Sequence, residues 1–444
     1  MRNFAWKTLG GKMASRSRAS CASAFNLLTG GGAERLARSV VLWPLLVAFA
    51  GPATAQMLLK PPRPGDQVTL MPSDMAILEA GEPRDDIPCT VTQSKPELGF
   101  DLRFHSGYDV TLPVNELAGA GELLTVVFRI YPQNERRNAS YFVQHFHVPE
   151  IQDTAKGDVL LQGMIDLGEG DYHVDWLMRD RAERICSSSW DVEAALAPKE
   201  KPMTLFIAPN EIAEASPPFV NDSAGHPIHR SKDSLDVKLL VNFAPQNSQS
   251  AALQRSDTDA LVSILKSIER DPRIGHISLV AFNIEAGRVV YRQETAEQID
   301  FPALGKAVES MKLGTVDVAR LGQKHSETDF LEDLIEKEVG AAATHPDAVI
   351  FAGPKTMLDA DVPQDDLRRI GDIECPVFYM NYNLNPQAVP WKDSISHAIR
   401  AFKGTEYTIS RPRDLWVSTT EMVGRIMRSK REKATARAFV APAN

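Results

Sequence analysis

Apolar residues recur at every second position in the first half of the chain. In the second half they follow helical spacing or form unbroken runs. In "GELLTVVFRIYP", Leu124, Val126, Phe128 and Ile130 fall on one face, the two-residue period of a half-buried strand. "GDYHVDWLMRD" repeats the pattern with Tyr172, Val174, Trp176 and Met178. After the turn-like "RDRAE", "RICSSSWDV" aligns Cys186, Trp190 and Val192. The last two segments predict a hairpin, and the run of short strands predicts an all-β sandwich over residues 85–195.

The period changes at Leu235. "LDVKLLVNFAP" predicts a buried strand, and "DTDALVSILKSIER" places Leu261, Ile264, Leu265 and Ile268 at helical spacing behind the polar cap "SDTD". "HISLVAFNI" and "RVVYRQE" read as strands. "DFPALGKAVESMK" reads as a helix capped by Asp300 with Pro302 in its first turn. Helices "DFLEDLIEKEVGAAAT", "PQDDLRRIGDI" and "KDSISHAIRAFKG" alternate with strands "DAVIFAG", "CPVFYMNYN" and "TEYTIS", and "PRDLWVSTTEMVGRIM" closes the series. Continuous apolar strands between amphipathic helices imply a doubly wound, mostly parallel sheet over residues 235–428.

The remaining stretches lack a period. Residues 56–84, rich in Pro and Gly, read as an extended leader. Residues 196–234 read as a linker with a short strand at Met203–Ala208, and residues 429–444 as a basic, disordered tail. Residues 1–55 read as a signal peptide, with Arg35 and Arg38 before the apolar run Val40–Ala50. Ala53-Thr54-Ala55 then forms a cleavage site ahead of Gln56. The alternative is an uncleaved anchor, against which Pro44 and the short apolar run argue. The expected location is secreted or periplasmic, with no stable membrane span after cleavage.

Charge narrows the function classes. The chain has 49 Lys and Arg against 58 Asp and Glu, and loss of residues 1–55 makes it more acidic still. Such a field repels nucleic acid, which is excluded as a partner. Outside the cytoplasm, Cys89, Cys186 and Cys375 suggest one disulfide and one buried thiol. Cys89 is in phase with Ile87 and Val91, and Cys186 with Trp190, so both face one core. The two readings are a Cys89–Cys186 bridge or two buried free thiols.

Catalytic and metal motifs are sparse. G-x-S-x-G, H-E-x-x-H and the P-loop are all missing from the sequence. His145 and His147 share one strand face, and a Zn²⁺ site there would need a third ligand from His173 or Asp175. The plain reading is a polar surface pair. "HSETD" gathers His325, Ser326 and Asp329, but triads are assembled in space rather than along the chain. Trp391 and Trp416 are either interface anchors or core cover.

The order from "LDVKLLVNFAP" through "SETDFLEDLIEKEV" and "AVIFAGP" to "PVFYMNY" resembles a von Willebrand factor type A domain, over Leu235 to about Met427. Metal-binding members of that family carry Asp-x-Ser-x-Ser after the first strand, a Thr in a second loop and an Asp after a later strand. At the matching positions this chain has Asn242, Ala244 and Gln246, then Thr328 beside Asp329, then Gly353. Only Thr328 matches. Without both carboxylates a divalent cation has little to replace its water shell, so the resemblance implies a degenerate adhesion site without metal or cofactor. It also implies a noncatalytic face, formed by Asn242, Gln246, Thr328 and Asp329, for an unidentified protein or cell-envelope partner. The alternative is a secreted hydrolase at the same carboxyl edge. Cys89, Trp176 and Cys186 resemble the core set of an immunoglobulin-like sandwich, although Arg184 stands where that family has Tyr.

Overall fold

The structure is a computed structural model that describes residues 57–59, 70–118, 121–215, 217–221, 233–247, 250, 252–311, 325–340, 345–370, 373, 375–385, 387 and 392–440. The signal-peptide reading and Trp391 lie outside the described residues.

The first half is built from β1 (Met57–Leu59), α1 (Pro72–Ala80), β2 (Thr90–Leu98), β3 (Phe104–Pro113), β4 (Glu122–Pro132) and β5 (Ser140–Val148). It continues with β6 (Asp158–Leu167), β7 (Gly170–Arg179), β8 (Ile185–Ala194) and β9 (Ile212–Glu214). Two sheets form, β1-β5-β4-β7-β8 and β2-β3-β6-β9, and every pairing within them is antiparallel. The alternating residues meet between the sheets as expected. Leu124, Val126, Phe128, Ile130, Tyr172, Val174, Trp176 and Met178 pack there with Phe104, Tyr108 and Val110 of β3. β7 and β8 form the expected hairpin. Cys89, one residue before β2, is bonded to Cys186 on β8, and Cys375 is free. Burial pushes the Cys375 thiol up, which leaves it a poor nucleophile.

The supposed leader departs from expectation, since residues 72–80 are helical. Pro72 opens α1, where its missing N–H costs nothing, and left-handed Gly81 ends it. The helix lies on the outer face of the first sheet, with Leu78 packed on Val127, Val143, Leu177 and Ile185. Buried Arg129 bonds both Asp175 (2.9 and 2.7 Å) and the Leu78 carbonyl (3.2 Å), so one guanidinium satisfies a carboxylate and a helix end. The span Met203–Ala208 is not a strand; it is irregular chain held by Phe206 N–H on the Leu102 carbonyl (2.9 Å).

The second half comprises β10 (Leu235–Asn242), α2 (Arg255–Glu269), β11 (Ile274–Asn283), β12 (Arg288–Ala296), α3 (Phe301–Glu309) and α4 (Ser326–Val339). It ends with β13 (Ala348–Pro354), α5 (Gln364–Arg369), β14 (Val377–Tyr382), α6 (Ser394–Ala401), β15 (Thr405–Ile409) and α7 (Pro412–Val440). The six-stranded sheet runs β12-β11-β10-β13-β14-β15, parallel except for the β11–β12 pair. Apolar residues of α2, α3 and α7 cover one face, and those of α4, α5 and α6 the other. Asp300 caps α3 as expected, accepting from Ala303 N–H at 3.0 Å. Helix α2 starts earlier than the "SDTD" cap suggested: Gln254 is its cap and Asp257 bonds back to Gln254 N–H. The basic tail also departs from expectation, because α7 runs on to Val440 and Lys430 is pinned to Asp347 (2.7 Å) and the Ser234 carbonyl (2.8 Å).

The disulfide spans 97 residues of sequence. The double variant Cys89→Ser, Cys186→Ser is expected to lose roughly 2–5 kcal/mol in urea unfolding of the full chain. An unchanged midpoint would refute that assignment of its role.

Candidate functional site

The parallel strands end at one edge, where their polar residues must find partners away from the ladder. Asn242, the last residue of β10, is 0% exposed. Its carbonyl oxygen accepts Ile284 N–H (3.1 Å), and its amide donates to Thr356 Oγ1 (3.2 Å). Gln246 is buried too. Its Oε1 accepts Leu384 N–H (2.9 Å) and Asn385 N–H (3.3 Å), while its Nε2 donates to the Asn385 carbonyl (2.9 Å). Thr328 donates to the Ala360 carbonyl at 2.6 Å. Asn242 and Thr328 therefore hold the loop after β13, and Gln246 holds the loop after β14. Asp329 is exposed on the first turn of α4 and joins neither.

The geometry does not fit a divalent cation. The side-chain oxygens of the three buried residues are spent on backbone partners. A side chain at Gly353 would place its Cβ 2.8 Å from the Cβ of Asn242, so this position has no room for the Asp that the resemblance would put there.

Sequence reading missed the residues around α6. Asp393 Oδ1 accepts Ile395 N–H (3.2 Å) and Thr356 N–H (3.3 Å). Ser394 accepts Leu358 N–H (3.2 Å) and donates to Asp361 (2.9 Å), and its own N–H goes to the Thr356 carbonyl (2.8 Å). Burial pushes Asp393 up to about 6, with Glu406 adding to it. Burial also works against ionising Glu406, yet the Ser396 hydroxyl (2.6 Å) and the Lys355 ammonium (3.3 Å) hold it below the usual range. On the far side of the edge, burial and neighbouring Glu327 raise Glu285 to about 7. The "KDSISHAIRAFKG" stretch read as a helix, but nothing local in it pointed to Thr356.

A second cluster joins the two halves. His105 on β3 lies between Asp166 (Nδ1 to Oδ1, 2.7 Å) and Asp101 (Nε2 to Oδ1, 3.0 Å). Arg103 bonds Asp166 at 3.0 Å, and Arg270, at the end of α2, donates to the Asp101 carbonyl at 3.2 Å. Both guanidinium groups lie over the Phe206 ring, 4.4 and 3.9 Å from its centre. Phe100 packs against the α/β core, and Trp416 of α7 against the sandwich core. Gly99 is required here, since a Cβ would meet His105 Nε2 at 2.3 Å.

Asp101, His105 and Asp166 are the metal-ligating types that come together among the described residues. A metal needs a nitrogen lone pair. Here each ring nitrogen faces a carboxylate, which requires an N–H on both. Burial opposes the charge, but the bonds and charges of the two aspartates outweigh it and raise His105 to about 10. The arrangement favours the imidazolium, paired with both carboxylates.

His145 and His147 do not join His173. His145 meets Thr125 (3.2 Å), while His173 bonds Asp191 (2.6 Å) and pairs opposite Tyr131. Thr125 and Tyr131 are about 20 Å apart at the rise of a strand.

No protein-family model matches the chain, and no curated protein matches it. Among solved structures it is similar to the PilB minor pilin from Streptococcus sanguinis, at 7% identity over 68% of this chain and 87% of that one, with a TM-score of 0.26. It is similar to a Bacteroides uniformis beta-glucuronidase at 8% identity over 66% of this chain and 33% of that one, with a TM-score of 0.18. At these scores neither defines the fold or the chemistry of this chain.

The folded state binds the His105 proton more tightly than the unfolded chain does. Its stabilisation is full below the ordinary histidine range and disappears as pH rises through about 10. His105→Gln is expected to cost about 1–3 kcal/mol at pH 7. That difference from wild type should shrink when urea unfolding is repeated at pH 10.5; a difference that does not change with pH would contradict the imidazolium assignment.

Proposed function

We propose that this chain is an extracytoplasmic, noncatalytic interaction module. In this reading the α/β half is a von Willebrand factor A-like domain without its metal, and the β half is an immunoglobulin-like sandwich fixed to it. The partner is a protein or a component of the cell envelope, met through the loops at the carboxyl edge.

One observation carries the reading. Asn242, Gln246 and Thr328 are spent on holding loops rather than exposed for contact, and the loop held by Asn242 and Thr328 presents Met357 at 49% exposure. An ordered loop with an exposed apolar tip suits recognition, because less entropy is lost on binding. The Cys89–Cys186 bridge supports a secreted or periplasmic location. No described helix is long and apolar enough to cross a membrane.

A photo-crosslinking residue at position 357, in cells of the native host, is expected to give one discrete adduct. The same residue at Val289, 38% exposed on β12, is expected to give none. Gln246→Leu, which frees the neighbouring loop, should weaken the 357 adduct; equal labelling from both positions would sink the reading. Mg²⁺, Mn²⁺ and Ca²⁺ are expected to leave thermal unfolding where EDTA leaves it. A site filled at a hundred times its Kd would add about 2.7 kcal/mol.

A second reading has one observation in its favour. Asp393 is raised and Glu406 lowered at the same edge, the divergence an acid–base pair needs. A secreted hydrolase would turn over a panel of chromogenic esters and glycosides and lose that turnover on Glu406→Gln.

A further inference from the structure

The loop from Lys355 to Pro363, between β13 and α5, is fastened on three sides and free at its tip. Asn242 holds Thr356 and Thr328 holds Ala360. The start of α6 provides the third fastening, through Asp393 on Thr356 N–H and Ser394 on Thr356, Leu358 and Asp361. Leu358 and Val362 sink into the core beneath. Of these fastenings only Asp393 titrates near neutrality while touching the loop backbone directly.

Its carboxyl is unevenly satisfied. Oδ1 takes two N–H groups, whereas Oδ2 is buried with no hydrogen-bond partner. A buried carboxylate with one bare oxygen is costly as an anion. Two donors lie close to it, the Ser396 N–H, which opposes the rise, and the Tyr379 hydroxyl. The Tyr379 hydroxyl lies beside Asp393 but gives its proton to the Pro354 carbonyl at 2.9 Å, which leaves its oxygen able to accept. Asn381, two residues on along the same face of β14, is 0% exposed, and its Oδ1 also lacks a donor. Its amide orientation is fixed by Nδ2 on Glu406 Oε1 at 2.8 Å. The charged groups around Asp393 are Lys355 on the loop and Glu406 on β15, and these two are already paired with each other. Protonating the Asp393 carboxyl removes the cost of leaving a charged Oδ2 bare.

We propose that Asp393 is a proton-operated latch on the 355–363 loop, closed when its carboxyl is protonated and released when that proton is lost. The proposal rests on the reading of this edge as the recognition face and adds its regulation: mild acid fixes the loop in the ordered form that recognition uses, and neutral pH loosens it. In the released loop Asp393 meets water and returns to an ordinary carboxyl. Closure is therefore fully proton-stabilised below the usual aspartate range, and that contribution is lost as pH rises through about 6.

Amide hydrogen exchange on the full chain tests this without any partner, so its failure is separable from failure of the crosslinking experiment. After correction for intrinsic rates, Thr356, Leu358 and Ser394 are expected to be protected about tenfold more at pH 5 than at pH 7.5. Phe351 in the core of β13 should not change. Asp393→Asn, which carries a permanent donor, should keep the low-pH protection at both values. Equal protection of the wild-type loop at the two pH values, or greater protection at pH 7.5, overturns the latch. If Asp393→Asn does not fold, that wild-type comparison alone decides.

Discussion

A parallel sheet that ends inside a domain must give its last polar groups partners, and at Asn242 this requirement organises the whole carboxyl edge. The residue ends β10, a strand with neighbours on both sides, and no water reaches it. Its amide has one acceptor and one donor end, and it uses them on the chain leaving β11 and the chain leaving β13. Two loops are thereby set by one side chain. Gln246 repeats the device one turn of chain later, and Thr328 does so from α4. A carboxylate at position 242 would accept from Ile284 but could not donate to Thr356, so the neutral amide suits a loop-holding edge better than a metal-holding one.

The junction between the halves solves a different problem, that of burying charge. Asp101 and Asp166 are short of solvent and need cations nearby. Arg103 and Arg270 supply two, and both stack on Phe206, which an ammonium would do less well. His105 supplies the third by keeping its extra proton. Because Asp101 comes from the β2–β3 turn and Arg270 from the end of α2, the arrangement ties the sandwich to the α/β half through polar contacts. The apolar contacts of Phe100 and Trp416 exclude water around it.

What was legible in the sequence follows from the range of each interaction. The two-residue period found the strands of the sandwich, because each inward residue meets a continuous core. Parity alone put Cys89 and Cys186 on that core, and only the packed sheets bring them together. Helix α1 was missed because it is short and weakly amphipathic. The sign of it was elsewhere, in Val127, an apolar residue on what should have been the outer face of β4. Likewise Lys430, deep in a basic run, reads as tail until Asp347 is placed beside it. His105 and Asp166 lie 61 residues apart, and no local pattern links them. At the carboxyl edge the sequence led to Asn242, Gln246 and Thr328 as a contact face. It did not show that these residues are buried and bonded to loops, because those loops are remote in the chain.

The contact between Gly353 and Asn242 bears on how such an edge changes. Introducing a carboxylate at position 353 would require the β10 end to move, since even a Cβ collides with Asn242. Moving β10 would release Ile284 and Thr356 together, and with Thr356 the hold of Asp393 on the loop. The amide at 242, the glycine at 353 and the cap at 393 are thus coupled through a single hydroxyl and its backbone. Substitutions at any two of them are expected to be non-additive, because each alters the geometry the other depends on. An edge wired in this way does not gain a metal site by one substitution. The carboxylates left to it, Asp393 foremost, then act through their own protons rather than through a shared cation.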